Sequence, residues 1–400
     1  MSNPADLVDV AAAEEHLMRL LSVEGVTGKE KNIAEAVSAE LQKAGVPASA
    51  IRYDDANARI PLPTETGNLI VDLPGTRPGP RLLFSTHLDT VPLCAGAKPR
   101  REGDRIVSDG TTALGGDDRT GCAVLVVVAE TLLKHKIPHP PITLLFTVRE
   151  ESGLHGAREL DPKELGGAVM CINVDGQAPA DLIIGAVGQE NWEVEITGKA
   201  SHAGVAPEKG ISATMVGALG LAEARREGWF GKVQKPAGFG SSNIGIFGGK
   251  NGVAAGDATN VVTDYAYLKG EARSPDAAFA VAIGDGYRAA FVKAQAEVKD
   301  HEGDTAKVKF TQTTAYPPFK LDESAPVVKR AKRALETLGI VPNLVFSNGG
   351  LDANWLDKHG VPTVTIAAGQ AEIHTVKEYV NLPEFAVGCR IAVLLATLED

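Results

Sequence analysis

The sequence predicts an α/β protein: a three-layer domain with a mostly parallel central sheet, and a smaller α+β domain inserted into it. Three observations carry this expectation. Strand-like runs toward both ends of the chain are continuously apolar, the pattern of strands covered on both faces. Helical stretches separate them, as a layered α/β architecture requires. Between about residues 189 and 316 the pattern changes to alternating, half-exposed strands with intervening helices.

Taken in order, the amino-terminal stretch with Ala11-Ala12-Ala13 reads as the start of a helix. Thr27 followed by Glu30 has capping-box spacing and predicts a helix running to about Gly45. Strands are expected at residues 68–73, 81–86, 142–148 and 168–174, with a helix over 119–134 between the second and third. That helix ends in Lys134, His135 and Lys136, cations that suit a helix carboxyl end. The middle region reads as strand 191–196, helix 212–226, strands 243–247 and 261–273, helix 275–299 and strand 307–312, an α+β order. Tyr316-Pro317-Pro318-Phe319 punctuates its end. Alternation resumes at Ala325 with strands at 343–346 and 363–367 and a closing helix from Glu384. The expected division is a discontinuous catalytic domain, 1–188 and 317–400, and an inserted lid or dimerisation domain, 189–316.

Composition excludes several classes. The 400 residues are 44% apolar and 23% charged, the balance of a folded globular chain rather than a disordered one. Lys and Arg total 40 against 51 Asp and Glu, a net charge of −11, so neither nucleic acid nor an anionic membrane is an expected partner. The longest apolar run, residues 122–129, falls far short of the ~20 residues of a membrane span. The first residues carry acids where a secretory leader would be basic and then apolar. Cys94, Cys122, Cys171 and Cys389 never approach C-x-x-C spacing and read as free thiols in a reducing compartment. The cytoplasm is therefore expected.

Five separated segments deliver acids or histidines to what should be one sheet edge, the edge where ligands bind in open α/β sheets. They are Thr86-His87-Leu88-Asp89, Gly115-Gly116-Asp117-Asp118, Arg149-Glu150-Glu151, Asn173-Val174-Asp175 and Glu372-Ile373-His374. Each alone reads as an ordinary strand end, turn or helix cap; their coincidence points to cations. His87 and Asp89, two apart in extended chain, face the same side, with Asp89 placed to orient the imidazole. Two histidines, several carboxylates and no thiolate suit zinc, cobalt or manganese. The carboxylates exceed what one tetrahedral ion can use, whereas two ions sharing a carboxylate and a water would use them.

The ordered set HLDTVP, LGGDDRTG, REESGLHGA, NVDG, ASHAG, GGLDAN and EIHT resembles the dinuclear zinc exopeptidases that include peptidase T, glutamate carboxypeptidase and the acyl-amino-acid deacylases, and most of all the peptidase T-like branch. The resemblance implies His87 and Asp175 on one metal, Glu151 and His374 on the other, Asp117 bridging, Asp89 orienting His87, and Glu150 as general base toward a metal-bridging hydroxide. It implies substrate contacts at His202, Asn260 and Arg273 in the inserted domain, a short peptide as substrate, and a homodimer through that domain in some relatives. His16, His135, His139, His155, His301 and His359 have no ligand counterpart. Asn348 stands where tripeptide-cleaving members carry arginine. The expected activity is thus an aminopeptidase of tripeptidase type; a carboxypeptidase or acyl-amino-acid deacylase is the rival, and an inactive peptide-binding relative a remoter one.

Overall fold

In a computed structural model that describes residues 3–399, the chain separates into two units. One runs to Ala186 and resumes at Phe319; the other is Val187–Pro318.

The first unit is built on a nine-stranded sheet. Its spatial order is Ile51–Tyr53, Leu69–Leu73, Ile142–Thr147, Leu82–His87, Met170–Gly176, Thr363–Ala367, Asp181–Ala186 and Phe319–Lys320, and Asn343–Ser347 also pairs with Asp181–Ala186. The four strands from Ile142–Thr147 to Thr363–Ala367 are mutually parallel. Antiparallel pairs flank them. The continuous apolar runs have a physical cause. Leu82 and Phe84 face a core shared with Val71, Leu144, Phe146 and the helix Gly116–Lys134, whereas Leu83, Leu145, Ile70 and Cys171 face a second core with Leu160, Leu165, Leu356 and Val361. Neighbouring residues thus point to opposite faces, yet both faces are apolar, and three layers result.

Several sequence expectations shift locally. The capping box at Thr27 does not form: its hydroxyl donates to Ser152 Oγ (2.8 Å), and the helix Lys31–Lys43 starts without a side-chain cap. At the amino terminus a short 3-10 turn, Pro4–Leu7, precedes the helix Val10–Leu21, which Asp9 caps. Gln370–Ala371, Tyr379–Asn381, Arg105–Val107 and Arg100–Glu102 form a small four-stranded ribbon. Strands of two or three residues are too short to print a periodicity. Among the described residues no helix is long and apolar enough to cross a membrane.

The second unit is a five-stranded antiparallel sheet in the order Gly231–Lys235, Gly238–Gly248, Tyr265–Ser274, Gly188–Thr197 and Lys307–Tyr316. Along Gly188–Thr197 alternate residues are buried, the pattern of a sheet with one covered face. Trp192, Val194 and Ile196 pack there with Leu268 and with Ile283, Tyr287 and Phe291 of the helix Ala277–Glu297. The Trp192 indole, wholly buried, stacks on Tyr287 with ring centroids 4.5 Å apart and on Phe310 at 5.9 Å. The strand Gly231–Lys235, absent from the sequence expectation, is polar (GKVQK) and joins its neighbour through a tight Pro236-Ala237 turn.

Candidate metal centre

Because the four central strands are parallel, their carboxyl ends share one edge of the first unit. His87 closes the strand Leu82–His87, Glu150 and Glu151 follow Ile142–Thr147, Asp175 lies in Met170–Gly176, and the chain beyond Thr363–Ala367 leads to His374. Asp117 and Asp118 enter from the start of the helix Gly116–Lys134, where both depart from helical backbone geometry and are joined by a cis peptide bond.

Asp117 sits between the two imidazoles. Its Oδ1 is 3.1 Å from His87 Nε2 and its Oδ2 is 3.2 Å from His374 Nε2. His374 Nε2 also lies 3.0 Å from Glu151 Oε1, and His87 Nε2 lies 3.8 Å from Asp175 Oδ1. His87, Asp117 and Glu151 offer ligand atoms all within 4.8 Å of one another, and so do His87, Asp118 and Asp175. The five residues singled out as ligands are thus brought together, with Asp118 beside them.

Asp89 meets His87 twice. Its main-chain carbonyl accepts from Nδ1 at 2.9 Å, and its carboxylate lies 3.5 Å from the same nitrogen. That carboxylate also accepts the backbone N–H groups of Glu150 (2.9 Å) and Glu151 (3.2 Å), so one buried side chain fixes both segments. The Glu150 carboxylate is buried and makes no hydrogen bond among the described residues.

Burial pushes the Glu150 and Asp175 carboxyls far up, neighbouring carboxylates add to the rise, and His87 opposes it. Burial likewise lifts Asp118 to about 7 and Asp352 to about 6. Burial also works against ionised Asp117, but hydrogen bonds from His374 and His87 hold its carboxyl below the usual range. Hydrogen bonds to Asp117 and Glu151 raise His374 to about 10. So many buried acids around two imidazoles are costly unless cations receive them. The donors are imidazole nitrogen and carboxylate oxygen; the nearby Cys122 thiol instead donates to the His87 carbonyl. That set fits zinc, cobalt or manganese.

Three participants carry no role in the sequence reading. Asp118 accepts from the Thr86 hydroxyl and from Gly121 N–H (2.9 Å). Asp352, fully buried, accepts from the Thr147 hydroxyl and leaves Oδ1 without a partner among the described residues. Glu378 accepts the backbone N–H groups of Leu114, Gly115 and Asp117. Asp118 and Asp352 stood inside quoted motifs; Glu378 had only its place four residues after His374.

The other candidates belong to the second unit. His202 is exposed, its Nδ1 accepts from Gly204 N–H (3.2 Å), and Ala203 N–H donates to the Asn260 carbonyl (2.9 Å), so those two segments adjoin. Arg273 pairs with Glu271 through Nε (2.9 Å) and Nη2 (3.0 Å). A second trio, buried Asp300 with exposed His301 and Glu302, lies on a turn where Lys199 binds Asp300 (2.8 Å). His16 is structural, held between Glu40 (2.7 Å) and Glu130 (3.2 Å).

Comparison with known proteins bears on this arrangement. The structure of an aminopeptidase PepT from Bacillus cereus is 33% identical, covers 98% of this chain and 99% of its own, and superposes with a TM-score of 0.83. A tripeptidase from Staphylococcus aureus is 28% identical over 98% of both chains, with a TM-score of 0.86. Carboxypeptidase G2 from a Pseudomonas species is 34% identical over 206 residues, 49% of this chain and 47% of that enzyme. Residues 83–398 match the profile of Peptidase family M20/M25/M40, and with the match extending from the strand of His87 to the last helix, the chain belongs to that family.

Proposed function

We propose that the protein is a metal-dependent exopeptidase of the peptidase T type, releasing residues from the amino end of short peptides. The observation that supports this most is the Asp117 carboxylate, whose two oxygens reach one imidazole each. In this reading His87 and Asp175 hold one divalent cation, Glu151 and His374 hold another, and Asp117 serves both, with zinc the preferred metal. Such a pair of cations would polarise the scissile carbonyl and acidify a shared water. Glu150, whose buried carboxylate makes no hydrogen bond among the described residues, accepts a proton from the attacking water and passes it to the departing amine. Asp89 keeps that base in place through the Glu150 N–H and orients His87.

The unit Val187–Pro318 is assigned the part of a lid, with His202, Asn260 and Arg273 as its substrate contacts. Its exposed Met215, Phe239, Ile246 and Phe247 support a homodimer formed through this unit, which light scattering tests. Four buried cysteines, all free, support a reducing, cytoplasmic setting.

A rival specificity has its own support: the likeness to carboxypeptidase G2, and Asn348 in place of the arginine of tripeptide-cleaving enzymes. One panel decides between them. Tripeptides with the amino end blocked should resist the enzyme loaded with Zn²⁺ or Co²⁺, while those with the carboxyl end blocked should still be cut. The reverse pattern overturns the aminopeptidase reading in favour of a carboxypeptidase or deacylase.

A further inference from the structure

The Gly115-Gly116 pair ahead of Asp117 has its explanation in a side chain that no motif includes. Glu378 is 2% exposed. Its Oε2 accepts the N–H groups of Leu114 and Gly115, both at 2.8 Å, and its Oε1 accepts that of Asp117 at 3.0 Å. One carboxylate therefore takes three backbone donors at the entry of the helix Gly116–Lys134, where donors lack helical partners. Gly115 stands at φ 82°, in the left-handed region that favours glycine. A Cβ on Gly116 would lie 2.9 Å from Val380 Cγ2 and 3.3 Å from Glu378 Oε1, so this second glycine admits the carboxylate and the strand Tyr379–Asn381 to the loop.

Glu378 is itself set by a tight turn. Its N–H donates to the Thr375 carbonyl (3.1 Å), Lys377 N–H donates to Thr375 Oγ1 (3.1 Å), and the Thr375 hydroxyl donates to the Glu372 carbonyl (2.7 Å). The segment carrying His374 and the segment carrying Asp117 are thus joined through one side chain.

We propose that Glu378 is a positioning residue for the metal centre: by clamping backbone residues 114–117 it holds the Asp117 carboxylate midway between His87 and His374, and cation affinity depends on it. This rests on the reading of Asp117 as the shared ligand. A cap with a purely structural role would change stability and leave the affinity of the folded protein for cations untouched.

The experiment compares the full-length protein with Glu378→Gln and Glu378→Asp, each stripped of metal. Co²⁺ is titrated in by absorption spectroscopy, and Zn²⁺ by competition with a chromophoric chelator. Wild type is expected to take two Co²⁺ ions. Glu378→Gln turns an NH₂ toward backbone donors and is expected to weaken at least one ion by about 10- to 100-fold, the usual effect of removing a group that orients a ligand, with a changed Co²⁺ band. Glu378→Asp keeps the charge with shorter reach and should fall between. A folded Glu378→Gln protein with wild-type affinities and spectrum overturns the proposal, whatever its melting temperature. If that variant does not fold, wild-type affinities in Glu378→Asp overturn it instead. A wild-type protein that binds no Co²⁺ fails at an earlier point and overturns the metal-centre reading itself.

Discussion

At the scale of single residues, chemistry and support separate cleanly around Glu150 and Asp89. Among the described residues the buried Glu150 carboxylate has no hydrogen bond to keep it occupied, whereas Asp89 is committed to two N–H groups and an imidazole. Glu150→Gln should lower kcat by about 10²–10⁴, the worth of a general base, while the bound metal measured by atomic absorption stays at the wild-type level. An unchanged kcat removes Glu150 from the reaction. Glu30 gives a prediction of another kind. It accepts Gly28 and Arg149 N–H on Oε1 alone (2.5 and 3.2 Å), and its buried Oε2 has no partner among the described residues. Burial first, then the nearby Asp89 charge, lifts this carboxyl to about 7. A folded-state pKa above the unfolded one means the protonated form is favoured, so the stabilisation is complete below about pH 4.5 and fades as pH rises through 7. Glu30→Gln preserves both hydrogen bonds and removes the titration. In metal-free protein its advantage over wild type should therefore grow across that window, up to roughly 3 kcal/mol, as read from urea unfolding at a series of pH values. A pH-independent difference would rule this out.

At the scale of elements, what the sequence disclosed follows from length and from how many faces are covered. The strands ending at His87, Thr147 and Gly176 were legible because both their faces are apolar. Their shared direction puts His87, Glu150, Glu151 and Asp175 on one edge. His374 was legible from the motif alone, since it follows the two-residue strand Gln370–Ala371 and holds φ 62°, which no periodicity announces. The capping box at Thr27 misled because the hydroxyl has a better partner, Ser152, 125 residues away. Glu378 was invisible for the same reason: its partners are backbone donors far along the chain. The helix Gly116–Lys134 shows how closely element and site are fitted. A Cβ at Gly121 would come within 2.3–2.4 Å of Thr86 Oγ1, Asp118 Oδ2 and the Val174 carbonyl. Gly121→Ala should therefore cost about 2–3 kcal/mol in chemical denaturation and displace Asp118. On the opposite face, Leu83→Ala should cost about 2–5 kcal/mol by opening a cavity while leaving metal content unchanged.

At the scale of the whole molecule, each unit has its own core: one built around Phe84 and Leu144, the other around Trp192 and Phe291. Only the first contains the candidate metal centre. A ligand stabilises the state that binds it, so in calorimetry Zn²⁺ should raise the transition of the first unit and leave that of Val187–Pro318 in place. Equal shifts in both, or none, would contradict this assignment. The aromatic stack of the second unit supplies the means to watch it alone. Trp192 is sealed between Tyr287 and Phe310 with no partner for its indole N–H among the described residues, an environment that gives short-wavelength emission. Trp355 belongs to the first unit and Trp229 is the other indole of the second. Replacing those two with phenylalanine would leave a single tryptophan, whose emission, excited selectively over the tyrosines, reports by its red shift on denaturation the loosening of one half of the chain with no label attached.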